Sequence, residues 1–346
     1  MRPANSAPTH HRAAHFSDGA FIAASLMAMA LIALVALGAR TWIDRPFAGF
    51  FVRADRTVAA VGRSTWSGVT GARLYDRTVV AIDGVAITAS DELHRRIALK
   101  PVGSPFTYTL TDGVTTETVT IASRRFSATD YWAIFGAYLI TGLLYVLLAI
   151  LAAWTLPAHR LGRALLFVGA AGGIFMLSAA DLYPPAGSLR VHALAAAFLP
   201  VTLLQFALVV GNARGRFATI ALPVAWAVSL AAAASMQLLI GNPVATRWVQ
   251  ATGDTALGFA LIAATIGLIA ARVRVGVEIA PLLVCAALFG LGVPAVIFLL
   301  AGTLGGVPLN ASATLAFLFP LGMGVGLLRG DPAIRALDVA RSSRSS

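Results

Sequence analysis

Few side chains in this sequence are able to do chemistry, and their spacing limits which chemistry is open to them. Six histidines are present, and three of them, His10, His11 and His15, cluster with Arg2 and Arg12 in a polar N-terminal stretch. Such a cluster could hold a metal, but nothing nearby would preorganise the ligands, so a solvated tail is the plainer reading. The other three, His94, His159 and His192, stand apart from one another. A zinc protease needs His-Glu-x-x-His on one helix, so that both imidazoles face the metal and the glutamate serves as base. The sequence has no such motif. A serine protease needs a serine beside a histidine, and neither Ser178 nor Ser229 has an evident partner. Cys285 is the single cysteine, lies in an apolar run, and reads as a small buried apolar residue with no intrachain disulfide open to it. The expectation is a non-enzymatic protein with no catalytic residue, no metal and no cofactor.

The remaining polar candidates sit in or beside apolar segments. Asp181 and Tyr183, before Pro184-Pro185, could contact a neighbouring domain or a ligand, although an interfacial aromatic beside a helix-ending carboxylate is the plainer account. Gln205 and Gln237 could line a cavity, and interhelical hydrogen bonding explains them more simply. Glu278 beside Arg272 and Arg274 reads as half of an interfacial ion pair.

The elements carrying these residues follow from composition. Hydrophobic residues make up 58% of the chain, charged residues 12%, and the mean hydropathy is +0.81. Soluble domains average about 25% charged residues, so this composition describes an integral membrane protein. The first 20 residues form a tail, and Phe21 to Ala39 is a first apolar segment approaching the length that crosses a hydrocarbon core. A cleaved signal peptide is the alternative, since Ala36-Leu37-Gly38-Ala39 resembles a cleavage site; the long polar leader favours a retained anchor. Seven further segments are predicted to span: Tyr131–Leu156, Ala164–Ala180, Val191–Gly211, Ile220–Ile240, Ala256–Ala271, Ile279–Gly302 and Ala311–Leu328. The fold class expected is therefore a polytopic α-helical membrane protein of about eight spans, with a seven-helix bundle over 131–328.

Charge sets the expected orientation. With the N-terminus inside, the inner loops and the tail at 329–346 carry ten arginines: Arg160, Arg163, Arg214, Arg216, Arg272, Arg274, Arg329, Arg335, Arg341 and Arg344. The short outer loops carry only Arg190 and Arg247, a strong positive-inside asymmetry. The formal +11 is thus accounted for by orientation rather than by nucleic acid. Gly169–Gly173 and Gly322–Gly326 permit close helix approach within the bundle.

One long stretch, Pro46 to Arg125, reads as a folded extracytoplasmic module. Phe50-Phe51-Val52 and Val58 to Val61 are short strand candidates. Thr78 to Ile82 is a β-branched strand followed by the tight turn Asp83-Gly84. Ser90 is a predicted N-cap, with Asp91 and Glu92 in the first turn and Leu93 and Ile97 on one apolar face. Phe106 to Leu110 and Glu117 to Ile121 alternate as two strands around Asp112-Gly113.

This module resembles a PDZ domain in the permuted arrangement of bacterial exported proteases. The resemblance rests on Gly49-Phe50-Phe51-Val52, on Asp76-Arg77-Thr78-Val79-Val80-Ala81-Ile82-Asp83-Gly84, and on the helix and closing strands. The wider order of parts is similar to the membrane sensor half of ComP-like histidine kinases. That similarity runs through Pro46 to Val52, Ala180-Asp181-Leu182-Tyr183, and Phe317 to Gly322 ending at Arg329. Only 18 residues follow Leu328, too few for a phospho-acceptor helix or an ATP-binding domain, so the expectation is a sensor half without its kinase.

The resemblance implies a bacterial inner-membrane location with both termini cytoplasmic. It also implies a groove that takes an extended peptide or a protein C-terminus by β-augmentation. Gly49, Phe50 and Phe51 would form the carboxylate loop, Val52 the edge strand, and Leu93 and Ile97 the pocket wall. The same residues would equally serve as the ordinary core of a degenerate module. The implied partners are the lipid bilayer, that peptide, and a separate cytoplasmic effector, with no nucleic acid. Two other classes stay in view. A transporter is suggested by Pro294 and Pro320 but lacks ionisable residues in the predicted helix interiors. An intramembrane protease lacks its motif.

Overall fold

The computed structural model describes residues 34–35, 37–66, 74–157, 159–183, 188–212, 216–240, 242–275, 281–304 and 307–330. The histidine-bearing N-terminal tail, Glu278 and the tail after Gly330 lie outside the described residues, as does most of the first apolar segment. Within them, a small β-rich module precedes a helical bundle.

The module begins with β1 (Pro46–Phe47) and continues with β2 (Thr78–Ile82), β3 (Val85–Ala86), α1 (Ser90–Ala98), β4 (Pro105–Thr111), β5 (Thr116–Ala122) and β6 (Arg124–Arg125). The main sheet is antiparallel in the order β3-β2-β4-β5, and β1 pairs with β6 so that Pro46 faces Arg125. Asp83 and Gly84 take φ of 49° and 74°, the left-handed pair that a two-residue hairpin turn needs. The 112–115 turn is tied by Asp112, whose Oδ1 accepts the N–H groups of Val114 (2.9 Å) and Thr115 (2.8 Å). These bonds hold its carboxyl below the ordinary carboxylate range.

Two local expectations are corrected. Phe50 to Val52 and Val58 to Val61 do not form a ladder; one antiparallel bridge, Val52 to Val58, is all that pairs them. Their side chains point into two different cores, so packing rather than ladder bonds places this segment. Ser90 is the first helical residue and not the cap: Ala89 occupies that position, and Glu92 accepts the Thr88 N–H at 3.2 Å instead.

Among the described residues seven helices are long and apolar enough to cross a membrane: α2 (Ala128–Thr155), α3 (Arg160–Ala179), α4 (Leu189–Val210), α5 (Thr219–Leu239), α6 (Ala245–Ala271), α7 (Leu283–Leu304) and α8 (Asn310–Leu328). All seven later sequence segments are therefore helices of spanning length. The largest revision is α6, whose full helix runs Pro243–Val275. It starts more than ten residues before the predicted Ala256, because Arg247, Gln250 and Asp254 recur at helical spacing on one face that the module covers.

Close packing explains the glycines of α3. A Cβ at Gly169 would lie 2.7 Å from the Ala149 nitrogen of α2, and one at Gly173 2.7 Å from Val146. Proline breaks α7 and α8 in different ways. A π-turn, Leu288–Gly292, precedes Pro294, and the α8 ladder is interrupted at Phe317 ahead of Pro320. At the α8 break a neighbouring hydroxyl meets a carbonyl: Thr141 Oγ1 donates to Ala313 O at 2.8 Å. Cys285 is exposed on the outward side of its helix, against the expectation of burial. An apolar run marks a membrane helix but not which face turns inward.

Candidate functional site: the junction between module and bundle

Alternate side chains along Phe50–Arg53 go to different places, as an extended chain requires. Phe50 and Val52 enter the module core with Leu93, Ile97, Tyr108 and Leu110. Phe51 turns the other way into the core shared with the bundle. Its ring stacks on Tyr183 at 4.2 Å between centroids and meets Phe135 at 5.5 Å and Trp42 at 5.0 Å. Phe47, Trp66 and Phe126 complete this aromatic cluster. Phe51 is 0% and Tyr183 2% exposed, so the junction is as dry as a protein interior.

The predicted groove residues are thus placed as follows. Gly49, Phe50, Phe51, Val52, Leu93 and Ile97 are all buried. Gly49 takes φ +80°, which lets the chain turn into the strand. α1 packs against β1. Five of the six residues are brought together in or beside the module core, and Phe51 is turned away from them.

Polar pins surround the aromatic cluster. Asp130, in the first turn of α2, accepts from Arg63 (2.8 Å) and from Trp66 Nε1 (3.0 Å) while closing a capping box with Ser127. The Leu309 N–H donates to Ala60 O at 2.7 Å, and Asn310 Nδ2 donates to Gly62 O at 3.1 Å. Arg247 donates to the Asp112 carbonyl at 3.1 Å. Arg53, 6% exposed, donates to Gln250 of α6 and lies 3.6 Å from Asp55.

Tyr183 therefore belongs to the module contact, the option that sequence reasoning ranked second. Tyr183 carries the ring stack. Asp181 lies beside Gly38 at the end of the first segment, and burial pushes its carboxyl up to about 6. Gln237 behaves as expected: it donates to Arg190 O across helices at 2.9 Å.

Ser178, unpartnered in sequence, lies 3.1 Å from His192 Nδ1. That nitrogen is also 3.2 Å from Phe175 O, an acceptor only, while Ser178 Oγ donates to Ile174 O at 2.6 Å. With the imidazole hydrogen spent on a carbonyl and the hydroxyl hydrogen spent on another, the pair pins α3 to α4 instead of forming a base and nucleophile.

Behind Arg53 lies a cavity of about 110 Å³, reached beside a crevice of about 720 Å³ between module and bundle. Asp254 and Gln250 line both. Sequence reasoning missed these residues. The spacing Arg247, Gln250, Asp254 was the available signal, hidden because all three precede the strongly apolar part of the segment. Among the described residues no group of three or more His, Cys, Asp or Glu could hold a metal ion.

The chain matches no family model, no curated protein and no solved structure. The fold itself defines the class: a multi-pass α-helical membrane protein with a small mixed α/β module packed on one end of its bundle.

Proposed function

We propose that this chain is a bacterial inner-membrane protein of sensor or scaffold type. Its PDZ-like module is extracytoplasmic, binds a peptide or protein partner, and is mechanically joined to a seven-helix bundle, with the first apolar segment as an eighth span. The observation that carries the reading is the split of one strand between two cores. Phe50 and Val52 hold the module together, whereas Phe51 and Arg53 hold it to Tyr183 and Gln250. A partner that shifts this strand must also disturb the bundle contact, which is the differential interaction that coupling requires.

Several features support the PDZ-like reading: the Asp83-Gly84 turn, the helix Ser90–Ala98, the β4–β5 hairpin and the left-handed Gly49. The buried state of Leu93 and Ile97 makes the groove closed at rest, so a peptide enters only as α1 moves off the strand. Orientation follows the arginines. Arg160 and Arg163 begin α3, whose far end leads to Tyr183 at the module, so they lie at the opposite face, where a cytoplasmic effector would dock.

Photocrosslinking from position 93 in native membranes tests this function. Reproducible capture of a peptide or protein C-terminus, lost when Gly49 is replaced by Trp, supports it. Capture of lipid and self alone, by a module that resists protease, removes the peptide partner and leaves a scaffold.

A further inference from the structure

We propose that the cavity behind the junction is a binding site for a small organic ammonium ion, with Asp254 as its counter-charge. This inference concerns a different site from the peptide groove and stands independently of it. Asp254 lies within α6, inside a candidate membrane span, and is half-buried. No hydrogen-bond donor among the described residues reaches its carboxylate, and no Arg, Lys or His nitrogen lies within the 4.0 Å of an ion pair. A carboxylate inside a membrane span is costly unless a cation, a proton or water meets it, which makes such residues functional candidates by default.

No other charge among the described residues forms a direct ion pair with it. Arg53 is the cation of the cavity, and it is already engaged by Asp55 at 3.6 Å and by Gln250. The pair is neutral, so Asp254 leaves the cavity one negative charge in excess. His192 is turned onto Phe175 O through Nδ1. Beyond this polar mouth the walls are apolar and aromatic, with Phe175, Phe298 and Met176 among them. Rings and thioethers are favourable surroundings for an ammonium and for the hydrocarbon attached to it.

Size narrows the class further. An apolar cavity of roughly 150 Å³ accommodates benzene, so a cavity of about 110 Å³ opening toward a larger crevice suits a body of about one ring. The ligand class is a primary amine on a short aromatic or aliphatic body, entering from the crevice past Asp254. A metal ion is a poorer fit, because no cluster of ligating side chains accompanies the carboxylate among the described residues.

Phenethylamine is the probe, titrated calorimetrically into the full chain in nanodiscs of zwitterionic lipid, with empty nanodiscs subtracted. Two comparators keep the shape and change the charge: 2-phenylethanol and 3-phenylpropionate. The expected result is saturable binding of the amine, at least tenfold weaker binding of the alcohol, and none of the acid. Asp254→Asn should weaken the amine at least tenfold. Ala196→Phe, which adds a ring to the wall of the cavity, should do the same, with melting curves of both variants confirming that they fold. Preferred binding of the acid would make Arg53 the anchor and overturn the assignment. Equal binding by Asp254→Asn would remove Asp254 as the counter-charge and overturn the assignment. Absence of binding by the folded protein would overturn the site.

Discussion

Phe50 and Phe51 are neighbours in the chain and belong to different structures. Phe50 meets Tyr108 edge-on at 5.0 Å in a core that is closed within the module. Phe51 stacks on Tyr183 in a core that the module cannot complete by itself. The first core is apolar and sequence-local, made by the strands and helix of one stretch of about eighty residues. The second is assembled from segments spread between Val35 and Leu327 and is ringed by polar pins such as Asp130 and Gln250. The difference teaches that the module has two kinds of stability, its own folding and its docking, and that single substitutions should separate them.

The sharpest way to break the comparison is to remove one ring at a time. Phe50→Ala deletes a fully buried side chain from the module core and should cost about 3–5 kcal/mol. Protease resistance of the 46–125 region should be lost while the bundle remains helical. Asp130→Ala should cost less, about 1–3 kcal/mol, because it removes the acceptor of two hydrogen bonds, one from the partly exposed Arg63 and one from the buried Trp66 indole. That loss should appear as release of the module from the bundle, read by crosslinking yield, with the module itself still protease-resistant. If both variants unfold both regions together, the two cores are one cooperative unit and the distinction collapses.

Acid should discriminate next. His94 packs edge-on to Trp42 at 4.9 Å, and neither ring nitrogen has a hydrogen-bond partner. Burial pushes its pKa from 6.5 down to about 4. The folded state therefore binds fewer protons than the unfolded chain between these values. Stability is full above pH 6.5 and falls as the pH drops toward 4, by at most about 1.4 kcal/mol per unit. His94→Phe should flatten that slope in a pH-dependent melt of the module; an unchanged slope would place the titrating group elsewhere.

A smaller effect should come from the Phe51–Tyr183 pair. A double-mutant cycle with Phe51→Leu and Tyr183→Leu should give a coupling of about 0.5–1.5 kcal/mol in docking. Zero coupling would reduce the stack to shared burial. The smallest effect belongs to Cys285→Ser: an exposed, lipid-facing side chain should change stability by less than about 0.5 kcal/mol. Thermal melts of the wild type and the variant in the same lipid check this, and a loss above that range would return the side chain to the interior.

Legibility followed the range of the interactions. The seven later helices were readable because a long apolar run has one stable answer in a bilayer, with every backbone bond made internally. The hairpins were readable because Asp83-Gly84 and Asp112-Gly113 carry their turns locally. The start of α6 was not, because Arg247, Gln250 and Asp254 look like loop residues until the module is seen covering them. Ser178 and His192 are fourteen positions apart on different helices, and only the crossing of α3 and α4 makes them neighbours.

The sequence by itself determined the class of this protein. Its composition, the periodic strands, the turn residues and the arginine asymmetry each act over a few residues or through the solvent, so they survive without knowledge of any partner segment. Only the tertiary structure decided what the module does to the bundle. Which side of Phe50–Arg53 faces which core, which face of α6 holds Asp254, and that Tyr183 receives Phe51 all depend on contacts between segments more than a hundred residues apart. No local pattern encodes those contacts, because a buried aromatic has the same signature whichever core it fills.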